Sequence, residues 1–407
     1  MGPNFEIQLN DSVSDQLRKI EIVMSTGSIE TFSCFETLTD PRRQFGNFQH
    51  SLFDIIVLAL CGTICYCETW EDIEDFGKER QEWLGKYLEL KNGIPGHDTI
   101  ARVISRLDTA DFFECLQQWI DGLQLELKGR GVHIDGKTAR HSFDNASNLK
   151  AMHMVSAWVD EVSLCLGQVA TDQKSNEITA IPLLLEMIEI KGAVVTLDAM
   201  GCQEKIVDKI VEREADYVIT AKNNQPKLCK AIAEQFEQYF EDDLRDKAVR
   251  SNKQVSRDRG RLAERTVIVA PVPASIKATG KWAKIKTIGM VHRHREATNK
   301  DNPRGIKETD HATYFISSLP PNASLVAKHV NKHWTVENKL HWTLDVTFTE
   351  DKSRVRKGSA PAIMGSLRRF VLSLLKRDTS MPKTSLKRKR LRAALNTDKL
   401  EAILFGV

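Results

Sequence analysis

Three acidic residues stand out by type and setting. Asp135 ends the alternating stretch Val132-His133-Ile134-Asp135, with Val132 and Ile134 on one strand face and His133 and Asp135 on the other. Asp198 ends Ala193–Asp198, a β-branched run in the style of a strand buried on both faces. Glu337 falls in the apolar stripe of a helix read from Ala323 to Leu344, among Val326, Val330, Leu340 and Leu344, with His333 and His341 one turn to either side. A carboxylate facing a core is costly unless it is paired or bound to metal. If the strands carrying Asp135 and Asp198 are neighbours, their carboxylates converge and Glu337 can complete a cluster of three. Such a cluster needs cations, and oxygen-only ligands select Mg²⁺, with Mn²⁺ able to substitute. Two such ions ~3.5–4 Å apart form the clamp used for phosphodiester hydrolysis and transfer.

Each acid has a plainer alternative. Asp198 can be a helix-capping residue before Gly201, Asp135 can be a turn residue before Gly136, and Glu337 can pair with a buried Arg or Lys. Asp345, Glu350 and Asp351 are rivals for the third position. His333 and His341 suit contact with DNA phosphate or core packing better than Mg²⁺, which prefers oxygen. Trp334 and Trp342 can stack on unpaired bases or pack. Lys222, Arg261, Lys339, Arg354 and Arg356 are candidate phosphate contacts.

The elements that position these residues can be sketched from periodicity. Residues 1–30 read as a loose polar tail. Residues 31–126 read as a helical domain, its apolar run Ile55–Cys67 (13 residues, uncharged) being a buried helix too short to span a bilayer. From Gly129 the texture changes to strands at Val132–Asp135, Met152–Val159, Leu164–Ala170, Ala193–Asp198 and Tyr217–Thr220. Helical stretches precede the last two. The order β-β-β-α-β-α-β predicts an α/β core with a mixed five-stranded sheet. Residues 227–309 read as a separate insertion. It has a charged helix, a polar basic stretch at Arg250–Arg265, and strands at Thr266–Val272 and Ile285–Val291. A further strand is expected at Thr313–Ser317. Pro320, Pro321 and the N-cap candidate Asn322 then open the Glu337 helix.

The chain has 407 residues, enough for two or three domains, and a net charge of +3. Lys352–Arg392 holds fourteen Lys and Arg against one acid, Asp378, a net of +13, which leaves about −10 on the remainder. A basic C-terminal segment on an acidic body suggests a polyanion partner, most simply nucleic acid. Eight scattered cysteines and no visible signal peptide argue against a disulfide framework and for a reducing cytoplasm.

The residues around the three acids resemble those of the H-repeat-associated group of bacterial insertion-sequence transposases, which belong to the DDE class. Asp40-Pro41-Arg42-Arg43, Gly93-Ile94-Pro95-Gly96-His97-Asp98-Thr99 and Arg102-Val103 are similar to the group's associated helical domain. His133-Ile134-Asp135-Gly136-Lys137 resembles its first catalytic block. Lys174–Pro182, Leu197–Gln203, His333-Trp334 with Val336-Glu337-Asn338, Leu340-His341-Trp342 and Leu344-Asp345-Val346 resemble further blocks. The resemblance runs from about Phe35 to Lys376. It implies an RNase H-like core over residues 127–226 plus 310–378, with the insertion at 227–309, an N-terminal helical domain that binds DNA, and a basic segment at 379–407. It implies Asp135, Asp198 and Glu337 as the metal-binding triad, with double-stranded DNA, both element ends and target, as partner to a homodimer in a synaptic complex. The implied activity is metal-dependent cleavage at insertion-sequence ends and strand transfer to target DNA. A nuclease without joining activity and a catalytically silent DNA-binding relative are the alternatives. Where related transposases carry Tyr, Arg and Lys around the last Glu, this chain has Val330, His333 and Leu344, and where many have Ser it has Gly96.

Overall fold

A computed structural model describes residues 29–42, 48–143, 150–171, 176–242, 248–258, 261–298 and 306–406. The chain divides into two compact units. One comprises Met1–Glu126, Gly136–Lys174 and Glu337–Val407; the other comprises Leu127–Asp135 and Ser175–Val336.

The strands are β1 (Gly131–Thr138), β2 (His153–Val159), β3 (Leu164–Thr171), β4 (Val194–Leu197), β5 (Asp216–Ala221), β6 (Arg250–Asp258), β7 (Arg261–Pro271), β8 (Thr287–Thr298) and β9 (Ile306–Ser317). They form a nine-stranded sheet in the order β3-β2-β1-β4-β5-β9-β8-β7-β6. The expected five-stranded sheet is therefore corrected to nine. The strands that follow β5 extend the same sheet, because β9 pairs antiparallel with β5 (Ile219↔Ile316). The strand β6 falls in the stretch Arg250–Arg265, read only as polar and basic. Its sequence, Arg-Ser-Asn-Lys-Gln-Val-Ser-Arg-Asp, carries no apolar alternation, and its partner β7 holds it in place.

In the first unit, the helix Leu52–Ile64 is the buried helix expected from its apolar run. Ser51 caps it by accepting from the Asp54 amide at 2.9 Å. Each of its buried Ile and Leu side chains is worth roughly 1.5–3 kcal/mol. The elements between residues 29 and 122 are all helical, but they share their core with C-terminal helices. Phe32 lies 6.2 Å from Phe370 and 6.1 Å from Phe405, ring centre to ring centre. Gly96 supplies no side-chain cap to the helix His97–Ile104; Glu74 accepts from the His97 amide instead, at 2.7 Å.

The basic C-terminal segment is partly interior. Arg390 is 1% exposed and donates to the carbonyls of Thr63, Ile64 and Thr347, closing the end of the Leu52–Ile64 helix. Lys389 is buried on Leu375 O and the Asp378 carboxylate. Lys387, Arg388 and Arg392 remain exposed.

In the second unit, Val194, Val218, Val269, Phe315 and Val326 belong to one buried cluster. It packs the helix Ala323–Thr335 onto the sheet. Asn322 is its N-cap, accepting from the Leu325 amide at 3.0 Å, as expected. No described helix is long and apolar enough to cross a membrane.

Candidate active site

The strands β1 and β4 are parallel neighbours, in the register Gly131↔Val194, Val132↔Val195 and His133↔Thr196. Two residues further along the chain come Asp135, within β1, and Asp198, the residue after β4. The period of two keeps Asp135 on the face of His133. Adjacent strands run ~4.8 Å apart, so this register, continued past His133 and Thr196, would carry Asp135 toward Asp198, which follows the carboxyl end of β4.

Below them is a buried polar layer that the sequence did not reveal. His133 Nδ1 shares a hydrogen bond with Thr196 Oγ1 at 2.7 Å. The same hydroxyl lies 2.9 Å from His333 Nδ1. A hydroxyl has one proton to give, so it bridges both rings when one Nδ1 carries hydrogen and the other does not. Burial pulls the pKa of His333 down to about 4, which leaves its ring neutral at pH 7. Gly131 makes room for this layer. A Cβ there would lie 2.6 Å from the His133 ring and 3.3 Å from His329 Nδ1.

Asp198 Oδ1 accepts from the amides of Met200 (2.9 Å) and Gly201 (3.3 Å) in a turn; it is not the helix cap weighed for it, since the next helix, Glu204–Glu212, starts behind Gln203. Burial holds its carboxyl above the ordinary range, and the charge of Glu177 adds to this. The Gly201 and Met200 amides and Lys222 pull the other way. Glu177 opens the helix Glu177–Met187 behind a capping box of Asn176 and Thr179. Its position inside the Lys174–Pro182 block was the available signal, read for resemblance and not for charge. Residues Lys174 and Ser175 of that block lie outside the described residues.

Glu337 belongs to the other unit, as the first residue of its last segment. The helix expected from Ala323 to Leu344 is not uniform. It is α-helical to Thr335, π-helical over Val336–His341, and α-helical again over Trp342–Val346. The wider turn shifts the stripe, so that Val336, Leu340 and Leu344 are fully buried and Glu337 is exposed. The expectation that Glu337 faces the core is thus corrected. π-Helical turns inside α-helices are frequent at functional positions.

The rival acids have other partners. Lys137 sits 2.6 Å from Asp345 and 3.1 Å from Asp351, and Arg140 also pairs with Asp351. Glu350 is 1% exposed and holds Arg369 at 2.8 Å. Burial raises the pKa of Asp345, and Lys137 opposes that shift.

Among the described residues, no three or more His, Cys, Asp or Glu side chains are gathered as a metal site requires. The donor chemistry nevertheless fits a hard cation. The candidate ligands are all carboxylates. Asp198 resists ionisation beside a second acid, a condition that a divalent cation would reverse.

The remaining candidates are spread over both units. Lys222 is exposed. Trp334 stacks under Arg293, 3.9 Å from ring centre to guanidinium. The Arg261 side chain lies outside the described residues. Lys339 pairs with Asp160 at 2.8 Å. Arg356 donates to His141 O and lies 5.0 Å from the Phe143 ring. His341 is half-buried, Arg354 is exposed, and Trp342 is 59% exposed.

Comparison with known proteins agrees with the sequence blocks. The profile described as "Transposase DDE domain" matches residues 119–373, and one described as "DDE_Tnp_1-associated" matches residues 32–120. "Putative transposase YncI" of Escherichia coli O157:H7 is 39% identical over 378 residues, covering 93% of this chain and 95% of its own. "H repeat-associated putative transposase YhhI" of Escherichia coli strain K12 is 39% identical over 368 residues, covering 89% and 95%. A piggyBac transposase in a synaptic complex with hairpin DNA is structurally similar with a TM-score of 0.41 and 10% identity, over 96% of this chain and 80% of that one; a likeness so loose carries no argument.

Proposed function

The chain belongs to the transposase DDE-domain family, and from that premise we propose that it cleaves DNA at the ends of an insertion sequence and joins the freed ends to target DNA. The observation that supports this reading is the β1–β4 register, whose continuation would carry Asp135 toward Asp198. We read residues 127–226 plus 310–378, with β1–β5 and most of β9, as an RNase H-like core and residues 227–309, with β6–β8, as its insertion. Asp135, Asp198 and Glu337 are the residues we assign to holding Mg²⁺, for which Mn²⁺ can substitute. The bound cation supplies charge neutralisation at the phosphodiester.

The chain's own residues have separate tasks in this reading. Burial and Glu177 poise Asp198 to favour cation binding. The His133–Thr196–His333 layer fixes the strand ends from below, so His333 acts as a positioning residue in place of the phosphate contact expected from sequence. Lys222, beside Asp198, and the exposed Arg354 are the better-placed phosphate contacts, joined by Arg356 and by Lys339 once it leaves Asp160. Trp342, His341 and Arg261 complete the proposed DNA-contacting set. A homodimer is proposed because two element ends must be joined.

The test is a strand-transfer assay on duplexes carrying the terminal repeats that flank the gene. Joined products with Mg²⁺ from the parent protein and none from Asp198→Asn support the reading. Cleaved but unjoined products point to the nuclease. No cleavage by the parent points to the silent DNA-binding relative.

A further inference from the structure

The strands β6–β8 present two different faces. On one, the register aligns Gln254 with Arg265 and Arg265 with Arg293; Arg295 follows two residues along β8 on the same side. On the other, the charges are paired: Lys253 with Glu264 at 2.7 Å, His292 with Asp310 at 3.0 Å, and His294 with Asp310 and Glu296 at 3.1 and 3.2 Å. Like charges on neighbouring strand positions oppose folding. Arg265, Arg293 and Arg295 gather three guanidiniums on one face.

They also line a groove of about 520 Å³, with Gln254, Ser256 and Ala263 on its walls. The groove is built and not merely open. Arg293 is stacked on Trp334 at 3.9 Å, with Arg265 5.9 Å from the same ring. Arg265 donates to Asn331 Oδ1 at 2.8 Å, and Asn331 donates on to Gln254 at 2.9 Å. Burial, and then the charge of Arg295, hold Arg265 below its ordinary pKa. An anion in the groove would reverse that. A guanidinium held flat by stacking presents its fork to phosphate with little further loss of side-chain freedom.

We infer that this groove binds the sugar–phosphate backbone of DNA, with Arg265, Arg293 and Arg295 as its phosphate contacts. The inference deepens the proposed function and rests on it for the choice of DNA. Its contacts carry no base sequence information and would serve to hold and orient a duplex.

The experiment measures anisotropy of a fluorescein-labelled mixed-sequence duplex with the full-length protein across a range of salt. The variants are Arg295→Gln, the double variant Arg265→Gln/Arg295→Gln, and Lys253→Gln as a control from the paired face. Circular dichroism confirms that each is folded. Arg293→Lys is a second route, since it keeps the charge and loses the stack. Each lost arginine contact should flatten the slope of log K against log salt by about 0.9 and weaken binding about fivefold at ~0.15 M salt. Lys253→Gln should match the parent. The inference is overturned if the double variant binds the duplex with the parent's slope and affinity. It is also overturned if inorganic pyrophosphate occupies the parent groove while duplex binding ignores the substitutions, which would mark a free-anion site. A parent that fails to cleave, but whose duplex binding responds to these arginines, overturns the catalytic reading and leaves the groove standing.

Discussion

His133 Nδ1 and Thr196 Oγ1 lie 2.7 Å apart, as register partners across two parallel strands. Their hydrogen bond lies two residues before Asp135 and Asp198 along the chain, and it ties β1 to β4 at the last paired position of that register. The Thr196 hydroxyl also reaches His333, which ties the Ala323–Thr335 helix to the same point. Thr196→Val keeps the shape and removes the bridge, leaving two buried ring nitrogens to find other partners. It should cost ~1–3 kcal/mol, and Thr196→Ser should recover most of this. Chemical denaturation of the three proteins is the check; equal midpoints would show that the bridge contributes nothing.

His333 gives a pH dependence. An unfolded histidine titrates near ~6.5, whereas in the folded protein burial lowers His333 to about 4. Between these values the unfolded chain binds more protons, so stability rises with pH across that window. The contribution, ~2–3 kcal/mol, is fully present above the unfolded value and is lost as pH falls toward 4. His333→Asn should narrow the stability difference between pH 4.5 and pH 7 relative to the parent. An unchanged difference would mean that the ring is not held neutral.

Gly131 is a prediction from space alone. A methyl group there meets the His133 ring at 2.6 Å, and the ring is itself enclosed. Gly131→Ala should destabilise by ~1–3 kcal/mol, as overpacking does. A thermal midpoint equal to the parent's would show that the ring can move aside.

Glu350 and Arg369 are each 1% exposed and paired at 2.8 Å. Removing one partner strands a buried charge, so Glu350→Gln should cost ~3–5 kcal/mol. Replacing both with leucine should be milder than either single change. Denaturation of the single and double variants measures the coupling directly.

The basic segment divides into two kinds of residue, and they should respond differently. Arg390→Met removes a buried guanidinium from three carbonyls and should cost ~3 kcal/mol. Lys387→Ala and Arg392→Ala, on exposed positions, should leave the thermal midpoint unchanged. Equal effects on stability would contradict this division.

These contrasts mark what the sequence could and could not convey. β-Branched runs and alternation located β1, β4 and β5 because their burial is written in their composition. The strand β6 has no such pattern, since partner strands and not apolar spacing hold it. The helix of Glu337 was legible from its Asn322 cap and its stripe, but a π-turn leaves no period to read. The charge excess after Lys352 was plain, yet charge alone does not say that Arg390 caps an interior helix. Thr196 and Glu177 were hidden for a similar reason, as their roles depend on which strands and helices become neighbours.

The most direct measurement of the central claim is Mn²⁺ binding by the full-length protein, followed by titration calorimetry or by the loss of the free-ion paramagnetic signal. The account predicts that the parent binds Mn²⁺, and that Asp135→Asn, Asp198→Asn and Glu337→Gln each weaken that binding while the protein stays folded. Undiminished Mn²⁺ binding by Glu337→Gln would contradict it, by showing that the late acid does not share a cation with the two on the strands.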